Sequence, residues 1–183
     1  MPRSISSCKK KIDSNKQDYR ILSLLSSLKE GAKGVFFSRI YSFVPIYKNF
    51  TAVQWENLFP ILKTPEEADV LFKPKNYLFA FTISNVSRHP KGVILVFINN
   101  SGNQIVATIH GGAWKHNLGS SRFYMNAYRF ICNCLFENGV KVHTSTNKYL
   151  KHVLRFNKFT GFKIYRYTND FILKRYYKLQ PYL

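Results

Sequence analysis

Hydrophobic positions recur at two periods along this chain, and the switches between them mark out its elements. Ile21, Leu22, Leu24, Leu25 and Leu28 fall at helical spacing with Gly31 just beyond, which predicts a short helix that docks on the domain. Val35 to Ile46 is aromatic and β-branched and predicts an extended entry segment. Thr51 to Leu71 predicts helix, broken near Pro60 and restarted at Thr64, where Pro65 stands at the first helical position and Glu66 and Glu67 in the first turn. Tyr77–Ile83, Gly92–Ile98 and Gln104–His110 read as strands. Between the last two, Asn99-Asn100-Ser101-Gly102 predicts a hairpin turn and antiparallel pairing.

Beyond Gly111 and Gly112 the period changes again. Phe123, Ala127, Phe130, Ile131, Cys134 and Leu135 share one helix face, closed by Asn138-Gly139. Val140–Thr144 predicts a short strand, Asn147–Lys158 a second amphipathic helix ending at Gly161, and Phe162–Tyr167 with Phe171–Tyr177 a terminal strand pair. The pattern is α/β of the mixed α+β kind, with a mostly antiparallel twisted sheet and helices on both faces. Residues 1–34 form a basic N-terminal tail with a short helix, and residues 35–183 form the domain.

Composition adds three constraints. No apolar run approaches the roughly 18 to 20 residues that span a bilayer, and the start lacks an apolar signal core, so a soluble, cytoplasmic protein without a membrane span is expected. Three cysteines are too few for a disulfide framework; Cys134 is expected in the core, and no Cys/His spacing resembles a metal site. The formal net charge of +19 attracts polyanions. It is uneven: from Lys141 onward ten basic residues face one acid, Asp170, whereas residues 51–72 carry Glu56, Glu66, Glu67 and Asp69 against Lys63.

The order of helix, three antiparallel strands, helix, strand, helix and two strands resembles the GNAT superfamily of acyl-CoA N-acyltransferases over about 140 residues. His143-Thr-Ser-Thr-Asn147, followed by Val153-Leu-Arg-Phe-Asn-Lys-Phe-Thr-Gly161-Phe162, looks like that family's fifth strand, fourth helix and closing Gly-Phe turn. The segment is most similar to GNAT-fold proteins encoded by tailed phages, which would place the chain in a host cytoplasm or a virion.

The resemblance implies acetyl-CoA held where the fourth and fifth strands splay apart, with its pyrophosphate at the next helix start. There His116-Asn-Leu-Gly119-Ser-Ser121 matches the family's phosphate-binding stretch with the central Gly kept. A loop ending in a serine N-cap fits the same residues equally well. The implied cofactor-binding residues are Ile109, Gly111, Lys115, His116, Gly119, Ser120, Ser121, Arg122 and Asn147.

The implied chemistry needs a base for the acceptor amine and an acid for the departing thiolate. From Pro74 onward the only acids are Glu137 and Asp170, and position 157, where the family often has Tyr, is Asn. His110 is the candidate base, with His116 and His143 nearby in the inferred layout, although a lone His at a strand end is more often a hydrogen-bonded structural residue. Tyr149 is the candidate acid, and Tyr124 a further one.

Two functions follow. One is an N-acetyltransferase that moves an acetyl group from acetyl-CoA to an amine acceptor. The other is a catalytically silent GNAT-fold structural or nucleic-acid-binding protein, such as a phage virion component with virion proteins as partners. The second draws on Lys163-Ile-Tyr-Arg-Tyr167 and Lys174-Arg-Tyr-Tyr-Lys178, where aromatics alternate with cations. The same alternation arises when the aromatics face a core.

Overall fold

A computed structural model describes residues 19–29, 34–72, 78–84, 90–101, 104–114 and 121–177. Seven strands form one sheet in the order β1-β2-β3-β4-β5-β7-β6. They are β1 (Phe36–Arg39), β2 (Leu78–Ser84), β3 (Pro90–Ser101), β4 (Gln104–Ala113), β5 (Lys141–Asn147), β6 (Phe162–Tyr167) and β7 (Phe171–Tyr176). Every pairing is antiparallel except β4 with β5. That parallel pair needs a crossover, which α4 (Ser121–Glu137) supplies.

Alternation along the strands divides the side chains between two cores. On one face Ile94 and Val96 of β3 and Ile105, Ala107 and Ile109 of β4 are buried with Tyr124, Ala127, Tyr128, Ile131, Cys132 and Leu135 of α4. Ile21 and Leu25, from a helix at residues 19–26 (α1), join this core, as Phe156 of α5 (Lys151–Thr160) packs against it. The opposite face carries Val93 and Leu95 under an aromatic cluster of Phe43, Phe50, Trp55, Phe59, Phe72 and Trp114. Within it Phe43 meets Phe59 edge-on at 5.2 Å, and Trp55 donates its indole N–H to the Leu62 carbonyl at 3.0 Å.

The helices under that cluster are short and depend on their ends. α2 (Ala52–Leu58) and α3 (Pro65–Leu71) each start with a capping box, Thr51 with Gln54 and Thr64 with Glu67. Asp69 of α3 accepts from the Ser42 hydroxyl at 2.6 Å and from the Phe43 backbone N–H, tying the entry segment down. The break at Pro60 and the restart at Thr64 thus stand as the sequence predicts.

Four sequence expectations change. Asn99, Asn100 and Ser101, expected in the hairpin turn, continue β3 and pair with Val106, Ile105 and Gln104, so the antiparallel pairing stands but the strand runs further than the polar residues suggest. The entry segment is extended only at β1; it then turns into a 3-10 helix, Val44–Asn49, with Pro45 in its first turn. β5 runs on to Asn147, so α5 starts later than its apolar spacing suggests. The core stripe of α4 is rotated by about one position, which buries Cys132 fully and leaves Cys134 only partly covered. Tyr124, Tyr128 and Cys132 lie four apart, a straight row along the helix that faces the sheet more squarely than the row through Phe123, Phe130 and Cys134.

Gly111 of β4 marks where α4 comes closest. A Cβ there would lie 1.8 Å from the Tyr124 hydroxyl oxygen and 3.1 Å from the Val93 carbonyl, to which that hydroxyl donates at 2.7 Å. Gly111→Ala should therefore expel the phenol and strip its buried hydroxyl of its partner, at a cost of about 2 kcal/mol. Urea unfolding checks this, and the penalty should shrink when alanine is introduced into a Tyr124→Leu background.

Candidate functional site

The ladder between β4 and β5 has three rungs, Val106 with Lys141, Ala107 with Val142 and Thr108 with His143. β4 nevertheless continues to Ala113 and β5 to Asn147. Past the third rung the two strands no longer pair, and a gap opens between their edges. Such a gap exposes backbone N–H and C=O groups that a bound chain can take up.

One side chain sits at the point of parting. Tyr128 of α4 donates its hydroxyl to the Ile109 carbonyl at 3.0 Å and shares a hydrogen bond with the Thr144 side chain. Ile109 and Thr144 are the first residues beyond the last rung, one on each strand. The phenol is fully enclosed, and burial, with smaller contributions from Cys132 and Tyr124, holds its pKa well above the usual value. It is a neutral wedge.

The helix-side wall of the gap continues from there. Phe156 packs against the rings of Tyr128 and Tyr124 at 5.4 and 5.6 Å. Asn157, buried in α5, donates its amide to the Thr146 hydroxyl at 2.7 Å. This is the position where the resemblance calls for a phenol, and here it bonds to β5. Tyr124 is also buried and donates to Val93; burial raises its pKa.

His110, His143 and Asn147 project from the other face. His110 is half-buried beside Phe97, ring to ring at 5.7 Å, and burial lowers its pKa from the ordinary 6.5. His143, opposite Thr108, accepts from Arg175 Nε at 3.2 Å. Burial, then Arg175 and Lys141, lower its pKa too. Asn147 ends β5 and accepts the Tyr149 backbone N–H at 3.0 Å. Tyr149 follows in a turn, 72% exposed, with Lys148 Nζ 5.0 Å from its ring centre.

Of the remaining sequence-derived positions, Ile109 is buried with its carbonyl held by Tyr128, and Gly111 is exposed. Ser121 opens α4 and Arg122 follows it, exposed. Lys115, His116, Gly119 and Ser120 lie outside the described residues. Nothing in the sequence alone singles out Tyr128, Thr144 or Thr146. Tyr128 lies four residues after Tyr124, a spacing that signals a buried helix face but not where a hydroxyl reaches.

A mostly antiparallel seven-stranded sheet with one parallel pair that parts after three rungs, flanked by helices on both faces, is the GNAT fold. The GNAT acetyltransferases of known structure share it. AAC(6')-Ib, solved with paromomycin and acetyl-CoA, superposes with a TM-score of 0.65 at 11% identity, covering 79% of this chain and 93% of its own. The GNAT domain of PAT from S. lividans gives 0.59 at 8% identity, covering 78% and 89%. Campylobacter jejuni N-acetyltransferase PseH, in complex with acetyl-CoA, gives 0.53 at 16% identity, covering 77% and 96%. No protein-family model and no curated protein matches the sequence.

Two outcomes follow from the buried groups. Tyr128→Phe should leave the Ile109 carbonyl and Thr144 hydroxyl without their partner and cost about 1–3 kcal/mol in urea unfolding, with no void to explain the loss. The lowered pKa values of His110 and His143 mean that the unfolded chain binds more protons at and below pH 6.5. Stability should therefore rise with pH through that window, so the unfolding midpoint falls between about pH 7.5 and about pH 5.5. His143→Gln should flatten the fall.

Proposed function

We propose that this protein is an acyl-CoA-dependent N-acyltransferase that moves an acetyl group onto an amine at the gap between β4 and β5. The observation that carries the proposal is the early end of the β4–β5 ladder at Thr108 and His143, in a sheet of this order. Unpaired strand edges suit the amide-bearing pantetheine arm, which hydrogen-bonds like a short strand. The backbone from Ile109 to Gly111 would hold that arm. The start of α4, with Lys115, His116, Gly119, Ser120, Ser121 and Arg122, would hold the pyrophosphate on free N–H groups at the positive end of the helix. Asn147 would close the β5 side.

When bound, acyl-CoA supplies an acyl group activated as a thioester. His110 is assigned the proton that the amine loses: its lowered pKa keeps the imidazole neutral and able to accept. Backbone N–H groups of β4 beyond Thr108 meet the negative charge that develops on the acyl oxygen. With Asn157 engaged to Thr146, the exposed phenol of Tyr149 is the group assigned to return a proton to the sulfur. The aminoglycoside complex of AAC(6')-Ib and the spermidine N-acetyltransferase chimera, a TM-score of 0.60 at 12% identity, both involve amines as ligands or substrates. A polycationic acceptor is disfavoured here, because a chain of net charge +19 repels it.

Calorimetric titration with acetyl-CoA should give a dissociation constant between about 1 μM and 1 mM, the range of ordinary substrate affinities. Absence of binding at millimolar ligand overturns the proposal. With an amine that releases free thiol, His110→Ala should lower kcat/KM by about 100-fold or more and remove the acid limb of the pH profile. That limb lies below pH 6.5, because protonation there converts the base to its inactive form. A second reading, binding without turnover, is favoured by Asn157 at the usual phenol position. It predicts acetyl-CoA affinity with no thiol release for any amine.

A further inference from the structure

The aromatic cluster on the α2–α3 face stops at β4, and among the described residues no helix lies over the same face of β5, β7 and β6. Among strand residues that cluster contains only Ala80, Val93 and Leu95, with Leu78 and Phe97 packed against it. Carrying the face across the sheet, Thr108 leads to His143, His143 to Arg175, and Arg175 to Lys163. Lys141, opposite Val106, belongs to it as well. None of these side chains enters either buried core.

Alternation along β6 from Lys163 puts Tyr165 on this face too, and the register irregularity between Ile164 and Arg166 leaves it without a partner on β7. Its ring lies 5.1 Å from His143 and 5.2 Å from the Arg175 guanidinium, which fix its orientation. Beside them Lys163 Nζ lies 5.3 Å from the ring centre of Tyr177. Tyr165 and Tyr177 stay 44% and 40% exposed, so part of each ring is open. Phe162, Lys174 and Tyr176 of the same two strands are buried instead, Tyr176 donating to Asn133 and Lys174 to the Leu154 carbonyl. The alternation of cations and aromatics in the sequence is thus split by the sheet, and a subset of both kinds is turned outward.

Among the described residues no carboxylate pairs with the outward subset. The one acid beyond Lys141, Asp170, stands in the β6–β7 turn, and Arg175 Nε donates to the imidazole of His143. We propose that this face binds single-stranded nucleic acid, with bases stacked on Tyr165 and Tyr177 and phosphates on Lys141, Lys163 and Arg175. Stacking requires unpaired bases; a duplex or an anionic lipid surface would use the charge and leave the oriented rings without a role. The inference does not rest on acyl transfer, although the face runs into the gap beside His110.

Fluorescence anisotropy with a labelled RNA of about 12 nucleotides tests it on the full chain. Binding should weaken steeply as salt rises from about 50 to about 200 mM. Tyr165→Ala should lower affinity by about tenfold while leaving the salt slope intact, and Tyr165→Phe should restore it. Lys163→Gln combined with Arg175→Gln should reduce the slope by about 1 to 1.5, the contribution of two phosphates. The basic N-terminal tail is controlled by Lys9→Gln, Lys10→Gln and Lys11→Gln together, which should leave the Tyr165 effect in place. The proposal is overturned by no binding at low salt, by stronger binding to a duplex of equal length or to phosphatidylserine vesicles, or by indifference to the Tyr165 and Lys163/Arg175 changes.

Discussion

Two parallel strands cannot part inside a protein unless something takes up the backbone groups and the space at the fork. Here Tyr128 does both: its ring is part of the main core and its hydroxyl meets one group on each diverging strand. The helix that carries it is also the crossover that makes the pair parallel. Because α4 returns the chain from the end of β4 to the start of β5, its first residues follow the open end of the gap and its last precede the closed end. The fork, its wedge and the helix start at its mouth are therefore consequences of a single connection.

The sheet is finished differently on its two sides. The α4 face is buried from β1 to β7, running from Phe37 through Ile94 and Val142 to Tyr176, with Thr144, Thr146 and Lys174 as its buried polar members. The other face is dry only as far as β4, where short capped helices hold an aromatic cluster over it. Beyond β4 cations and tyrosines take over. His110 stands at that boundary, next to Phe97 on one side and to the fork on the other. Burial at this position lowers its proton affinity while leaving its side chain partly exposed.

Much of the architecture was legible because local chemistry and global packing agree. The Thr64-Pro65-Glu66-Glu67 run specifies a helix start by itself, and alternation fixes the β3–β4 hairpin register without outside help. What escaped is what depends on contact between distant segments. Whether Cys132 or Cys134 is buried turns on how α4 is rotated against the sheet, and both choices satisfy an apolar stripe. Lys174 reads as one more exposed cation, yet its pairing with Thr144 and its position beneath α5 bury it and lower its pKa. The fork residues escaped for the same reason. Tyr128, Thr144 and Asn157 are ordinary polar side chains in the sequence and become a set only when three elements meet.

One imbalance underlies both the chemistry and the surface. The chain has 9 acids against 28 basic residues, and several of the acids already serve the fold: Glu67 closes a capping box and Asp69 holds Ser42 and Phe43. No carboxylate is left along β4 or β5, so the titratable side chains beside the fork are imidazoles, and desolvation lowers the pKa of both His110 and His143. Among the described residues the same shortage leaves Lys141, Lys163 and Arg175 without carboxylate partners on the face away from α4. Unpaired cations on a sheet are normally dispersed or neutralised. Here they are held together by strand register and interleaved with oriented rings, an arrangement that self-repulsion opposes and that an anionic partner would stabilise.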